Sequence, residues 1–197
     1  VIHMEIGATK AVQDRLKTTK IEESKGASLV FCWDTHLTKI KGRNVLFIVN
    51  ASNRYTLAMT DIEPRNWNYY TMYIRSVIHG VMQEMGYSED QIGQYFKMSG
   101  DTTVTKTHGR KSVGGINRMV MDAQYFGKKL EKEAKYQWEL SKYLNRDICQ
   151  PEGFDAYGYP SELFKLDMER LGIAAKREPA KVIDFAQYIE NNCGTND

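Results

Sequence analysis

The run from residue 29 to residue 60 reads Leu29-Val-Phe-Cys-Trp-Asp-Thr-His-Leu-Thr-Lys-Ile40, Lys41-Gly-Arg-Asn44, Val45-Leu-Phe-Ile-Val49, Asn50-Ala-Ser-Asn53 and Arg54-Tyr-Thr-Leu-Ala-Met-Thr60. The first piece alternates. In an extended chain Leu29, Phe31, Trp33 and Leu37 fall on one face, and Cys32, Asp34, His36 and Thr38 on the other. Gly42 and Asn44 punctuate a turn. Val45–Val49 is apolar on both faces, which predicts an interior strand covered on both sides. Asn50 and Asn53 turn the chain again before the return from Arg54 to Thr60. Three strands with such short connections predict an antiparallel meander.

Upstream, Met4–Thr9 reads as a short strand leading into a helix, with Thr9 as its cap and Val12 and Leu16 on one side. Residues 18–27 read as a loop. Downstream of Pro64 the period changes to that of a helix through Tyr70, Tyr73, Ile74, Val77, Ile78, Val81 and Met85, and Gly86 ends it. Ser88-Glu-Asp-Gln91 is a capping box for a second, shorter helix. Trp67, Tyr69, Tyr70 and Tyr73 lie among Arg65 and Arg75. Helical spacing makes Tyr70 and Tyr73 core residues rather than a base-stacking platform.

Thr102–Lys106 suits a strand, and Gly109 a turn. Ser112 reads as the N-cap of a helix carrying Val113, Ile116, Met119, Val120, Ala123 and Phe126. From Gly127 the chain becomes polar and helical. Tyr136, Leu140, Tyr143 and Leu144 share one helix; Ser161 caps another, and Pro179 opens a last one. The fold class expected is α+β: an antiparallel β-meander sheet packed with helices, with a helical C-terminal third. Residues 1–127 form the core domain in this reading, and residues 128–197 a helical extension packed on it.

The chain has 197 residues, 42% of them apolar, enough for a substantial core. Lys and Arg number 27 against 25 Asp and Glu. That near balance excludes a strong global field for nucleic acid. Locally, Val104 to Arg146 holds 10 basic and 4 acidic residues, so the basic charge is concentrated in the middle of the chain. Cys32, Cys149 and Cys193 show no CxxC and no zinc spacing, which fits a reduced cytoplasmic compartment and predicts no metal. There is no signal-peptide pattern and no run long enough to span a bilayer, so no membrane partner is expected. The common catalytic and cofactor motifs are absent, and no cofactor is expected.

Two residue sets are candidates for a site. The first is the basic strand–turn–helix: Lys106, Thr107, His108, Arg110, Lys111, Ser112 and Asn117, joined by Arg54 from the neighbouring turn. Free N–H groups at a helix start, hydroxyls and guanidinium groups together suit a phosphate or carboxylate. Gly114 and Gly115, if helical, each cost about 1 kcal/mol relative to Ala, and ask for a close approach as the reason. The second set is Trp33, Asp34, His36 and Asn50. Cys32, Asp34 and His36 share a strand face, but side chains two apart stand roughly 7 Å from one another. They read as a partly exposed polar face rather than a formed triad.

Thr9-Lys10 after a first strand, Trp33 followed by Leu37, Val49-Asn50 through Asn53-Arg54-Tyr55, and Thr105-Lys-Thr-His-Gly-Arg-Lys-Ser-Val113 with Asn117 together resemble an uncharacterised bacterial domain family of unknown function. Its members are small cytosolic proteins, some encoded on plasmids or other mobile elements. The resemblance covers residues 4–126. It implies no activity, but gives weight to Trp33, Asn50, Arg54, Thr107, Arg110, Ser112 and Asn117 as a set. The function expected first is a small binding or regulatory protein that recognises a nucleotide or nucleic acid through the basic strand–turn–helix. A protein-interaction subunit of a toxin–antitoxin or defence system, assembling through its C-terminal helices, is the second expectation. An enzyme is the third, with Arg54 and Arg110 clamping a phosphate and Asp34 or His36 handling protons.

Overall fold

A computed structural model describes residues 3–18 and 21–175. In chain order the elements are β1 (Met4–Ala8), α1 (Lys10–Leu16), β2 (Cys32–Ile40), β3 (Arg43–Asn50) and β4 (Thr56–Thr60). Then come α2 (Pro64–Asn68), α3 (Tyr70–Glu84), α4 (Glu89–Ser99), β5 (Thr102–Thr105), α5 (Gly109–Gln124), α6 (Trp138–Leu144) and α7 (Pro160–Arg170). The strands form one sheet in the order β4-β3-β2-β1-β5.

The fold class is α+β, with one correction. The antiparallel meander is confined to β2, β3 and β4, while β1 runs parallel to both β2 and β5, so the sheet is mixed. The cause is connection length. A tight turn reverses a strand, whereas α1 carries the chain back across the sheet before β2, and β2 must then run parallel to β1. A smaller correction concerns Leu29–Phe31, which is a single 3-10 turn, so that β2 begins at Cys32.

Alternation divides the strand residues between two cores. Met4, Ile6, Trp33, Leu46, Ile48, Leu57 and Met59 face α1, α3, α4 and α7, where Tyr70, Ile74, Ile78, Tyr95 and Phe164 meet them. Val45, Phe47, Val49 and Ala58 face the other way, onto Ile116, Met119 and Ala123 of α5 and Leu140 and Leu144 of α6. β3 is thus an interior strand packed on both faces, as its unbroken apolar run predicts. The Ser88–Gln91 capping box forms, with Ser88 N–H donating to Gln91 Oε1 at 2.9 Å and Gln91 N–H to Ser88 Oγ at 3.3 Å. Trp67 stacks on buried Tyr70 with ring centroids 5.6 Å apart.

The residues after 128 enter both cores. Phe164 of α7 packs against Trp33, Tyr55 and Tyr87. α7 begins at Pro160, one residue before the expected Ser161 cap. α6 covers the outer edge of β4 with side chains. Asn145 accepts from Thr56 N–H and donates to Thr56 C=O, both at 2.8 Å, Ser141 Oγ accepts from Ala58 N–H at 3.0 Å, and Gln137 donates to Thr60 Oγ1 at 3.0 Å. The opposite edge, β5, is met by Glu22, whose C=O accepts from Lys106 N–H at 2.9 Å. The helix expected from Pro179, and Cys193, lie outside the described residues. No helix among the described residues is long and apolar enough to cross a membrane.

Candidate functional site

The basic turn does lead into a helix, but α5 starts earlier than its sequence suggests. Gly109 adopts φ 90° and is the first helical residue, with His108 at the N-cap position. Ser112 therefore lies inside the first turns and does not cap. Its hydroxyl donates instead to Asp34 Oδ2 on β2. Asp34 also accepts from the His108 main-chain N–H, 3.2 Å from each oxygen, and from His108 Nδ1 at 2.7 Å. At the helix start the His108 N–H, the His108 ring and the Ser112 hydroxyl all turn to one carboxylate. That carboxylate is the protein's own Asp34, completely buried.

Gly7 makes that approach possible. A Cβ there would lie 1.8 Å from Asp34 Oδ1 and 3.0 Å from the Thr107 Cα, so only glycine leaves room for the β5–α5 turn to cross β1. Beside Gly7 on the same face, Glu5 is fully buried and accepts four hydrogen bonds. They come from His3 Nε2 at 2.6 Å, Ser24 Oγ at 2.6 Å, the Lys25 N–H at 2.7 Å and His108 Nε2 at 2.9 Å. His108 thus bridges two carboxylates. Carboxylates only accept, so both ring nitrogens carry protons and the ring is an imidazolium. Burial alone would push His108 down, but Asp34 and Cys32 beside it outweigh that and hold it up at about 11. Burial would likewise raise the Glu5 carboxyl, yet the hydrogen bonds from Ser24, Lys25, His108 and His3 bring it down to about 2. Cys32, in the same row of the sheet, is fully buried, and burial pushes its thiol up.

Cys32 and Asp34 are therefore not part of a partly exposed polar face. α5 covers them and supplies the His108 partner that strand spacing could not. His36 stands apart from this cluster, with Nδ1 3.0 Å from Thr9 Oγ1, and burial lowers its pKa. Thr9 itself makes no side-chain cap to α1. Trp33 points to the opposite face, where Nε1 donates to Tyr95 Oη at 3.0 Å. Asn50 is a buried turn former, its Oδ1 accepting from Ser52 and Asn53 N–H and its Nδ2 donating to Val30 C=O.

The first set separates in the same way. Thr107 is half-buried at the crossing over Gly7, while Arg110 and Asn117 are exposed on α5. Lys106 pairs with Glu23, and Lys111 lies 3.9 Å from Glu152. Further along the basic segment, Arg118 pairs with Asp122, Lys128 with Glu139 and Lys135 with Glu63. Five of the ten basic residues between Val104 and Arg146 are thus paired with acidic neighbours on the surface.

Arg54 is different. It sits in the β3–β4 turn with φ 62°, a left-handed conformation that costs a side-chain-bearing residue on the order of 1 kcal/mol. Its side chain lies on α5 over Gly115, where a Cβ would be 2.8 Å from Nε and 2.9 Å from Nη2. That approach is the reason for a glycine inside the helix. Among the described residues no carboxylate or carbonyl takes up the guanidinium. It faces a cleft of about 410 Å³ lined also by Arg118, Asp122, Asp147, Gln150 and Tyr157.

Glu5, Gly7 and the role of His108 escape a reading of the sequence, as does the cleft wall from residues 147–160. One signal for Glu5 is present: a carboxylate between Met4 and Ile6, in a strand too short and apolar to tolerate it unpaired. Neither the curated proteins nor the solved structures yielded a match. A family model described as a domain of unknown function (DUF6933) matches residues 5–163, which takes in all five strands, α5, α6 and the start of α7. The chain accordingly belongs to that family of uncharacterised domains.

Proposed function

We propose that the protein binds a small anionic molecule, with a carboxylate or phosphate of the ligand seated on Arg54 in the cleft between α5 and the 147–160 segment. The observation that carries this reading is the Arg54 side chain, held over Gly115 by a strained turn without an acceptor among the described residues. Strain of that kind collects where a side chain must be aimed at a ligand. The cleft volume is of the size that small-molecule sites occupy. Asp122 and Asp147 on its wall favour a ligand that also offers hydrogen-bond donors. Ion pairs at Lys106, Lys111, Arg118, Lys128 and Lys135 take up half of the segment's cations, which weakens it as a track for a nucleic-acid backbone.

The test is isothermal titration of the full chain with inorganic phosphate, a mononucleotide and a dicarboxylate. Arg54→Ala removes a charge-assisted contact worth about 1.5–3 kcal/mol, so affinity falls on the order of 10- to 100-fold. Unchanged affinity in the variant, or no heat from any probe at millimolar concentration, would sink the proposal. A second reading, that the protein assembles with a protein partner or with itself, is favoured by Ile148, Tyr157 and Tyr159, all exposed between α6 and α7. A strictly monomeric mass in solution that does not change on adding candidate partners speaks against it.

A further inference from the structure

We infer that Glu5, Cys32 and His108 form a binding site for a divalent transition-metal ion of the zinc type, with Asp34 holding the histidine from behind. The three residues come from β1, β2 and the entrance to α5, and one donor atom from each lies within 4.8 Å of the other two. Glu5 Oε2 and His108 Nε2 are already 2.9 Å apart. Zinc bonds of about 2.0–2.3 Å place tetrahedral ligand atoms roughly 3.3–3.7 Å from one another. The 4.8 Å limit on the three donor atoms is close enough to that spacing for side-chain adjustment to complete a three-ligand set.

Three features favour a metal over other uses of this cluster. The ligand types are one thiol, one imidazole and one carboxylate, a mixture that suits zinc and not the all-oxygen shells of calcium or magnesium. Asp34 accepts from His108 Nδ1 at 2.7 Å and is itself fixed by Ser112 and a main-chain N–H, the outer-shell arrangement that orients a metal-bound histidine. The charge also balances. With two carboxylates, an imidazolium and a thiol the group carries −1; a divalent ion displacing the Nε2 and Sγ protons leaves two carboxylates, a neutral ring, a thiolate and +2, again −1. Metal binding thus exchanges two protons for one ion without adding charge to a buried site.

The same residues as a nucleophilic Cys–His pair fit less well, since Cys32 has no exposed surface to offer a substrate. His3 Nε2 lies 2.6 Å from the other oxygen of Glu5 and adds a second imidazole beside the site. The cover on the Glu5 side is the exposed 22–26 segment, held by Ser24 and the Lys25 N–H, which gives an ion a short way in.

The experiment uses the full chain with Cys149 and Cys193 replaced by serine, so that Cys32 is the only thiol. The protein is treated with chelator under reducing conditions and titrated with Co²⁺, then with Zn²⁺ against a chromophoric chelator. The expected result is one ion per chain, with a thiolate-to-cobalt charge-transfer band that Zn²⁺ abolishes. Asp34→Asn then weakens zinc binding on the order of 10- to 100-fold while keeping the band. Absence of the band in this background overturns the inference directly, whether or not cobalt binds elsewhere, and needs no ligand variant to fold. In the parent chain, which keeps all three cysteines, a band that survives Cys32→Ser overturns it as well.

Discussion

Gly7→Ala tests the centre of the fold. The new methyl would lie 1.8 Å from Asp34 Oδ1. Restoring ordinary contact at about 3.4 Å moves that oxygen by roughly 1.5 Å, because the Thr107 backbone on the far side blocks the methyl from moving instead. Oδ1 accepts from His108 Nδ1 at 2.7 Å and from the His108 N–H at 3.2 Å, so both bonds open. Hydrogen bonds to charged groups contribute about 1.5–3 kcal/mol each, and alanine recovers about 0.5–1 kcal/mol of backbone entropy. The net loss is roughly 2–5 kcal/mol, or a fall in Tm of roughly 4–20 °C for a chain of this size. Urea unfolding or calorimetry measures it. In an Asp34→Ala background the same substitution meets only Thr107 and costs about 1 kcal/mol, so the double-mutant cycle returns a coupling of at least ~1 kcal/mol. A loss below about 1 kcal/mol for the single change, or strict additivity in the cycle, would refute the close-approach argument.

Gly115→Ala separates stability from binding. Helix propensity gains about 1 kcal/mol and offsets the displaced Arg54 tip, so Tm stays nearly constant while phosphate affinity drops on the order of tenfold by titration; equal affinity would remove Arg54 from the site. Asn145→Ala leaves the Thr56 N–H and C=O without partners and costs roughly 2–4 kcal/mol in urea unfolding, whereas a cost under 1 kcal/mol would mean water serves that edge as well. Burial holds His36 below its usual 6.5, so the neutral ring is the stable one: its contribution is present above pH 6.5 and declines as pH falls below it. Stability measured from pH 8 to 5 should therefore decline less steeply in His36→Gln than in the parent, and identical slopes would contradict this.

The meander was legible because Trp33 and Leu37 against Cys32 and Asp34, and the unbroken Val45–Val49 run, carry period and burial in a few adjacent residues. The place of β1 was not. Nothing local to Met4–Ala8 says that it lies between β2 and β5, since parallel pairing is set by crossovers of many residues. The candidate site divides along the same line. Ser112 and Asp34 were both singled out, but their contact depends on α5 lying across β2. Ser112 looked like a cap because the αR–αL choice at Gly109 decides the helix start by four residues, and either start satisfies the local pattern. Gly115 announced a close approach without naming its partner, which the left-handed turn at Arg54 supplies.

The cover on β4 works as a ruler. Four residues of helix advance about 6.0 Å and two residues of strand about 6.8 Å, so side chains at every fourth helical position can meet every second strand position. Gln137, Ser141 and Asn145 keep step in this way with Thr60, Ala58 and Thr56. The two scales differ by about 0.8 Å per step, and after two steps the error is already about half the length of a hydrogen bond. A helix used like this must be short, and α6 ends after 7 residues, just before Asn145 makes the last match. Its length is set by the arithmetic of two mismatched repeats, and one residue inserted between Gln137 and Asn145 would lose the register by about 100° of helical turn.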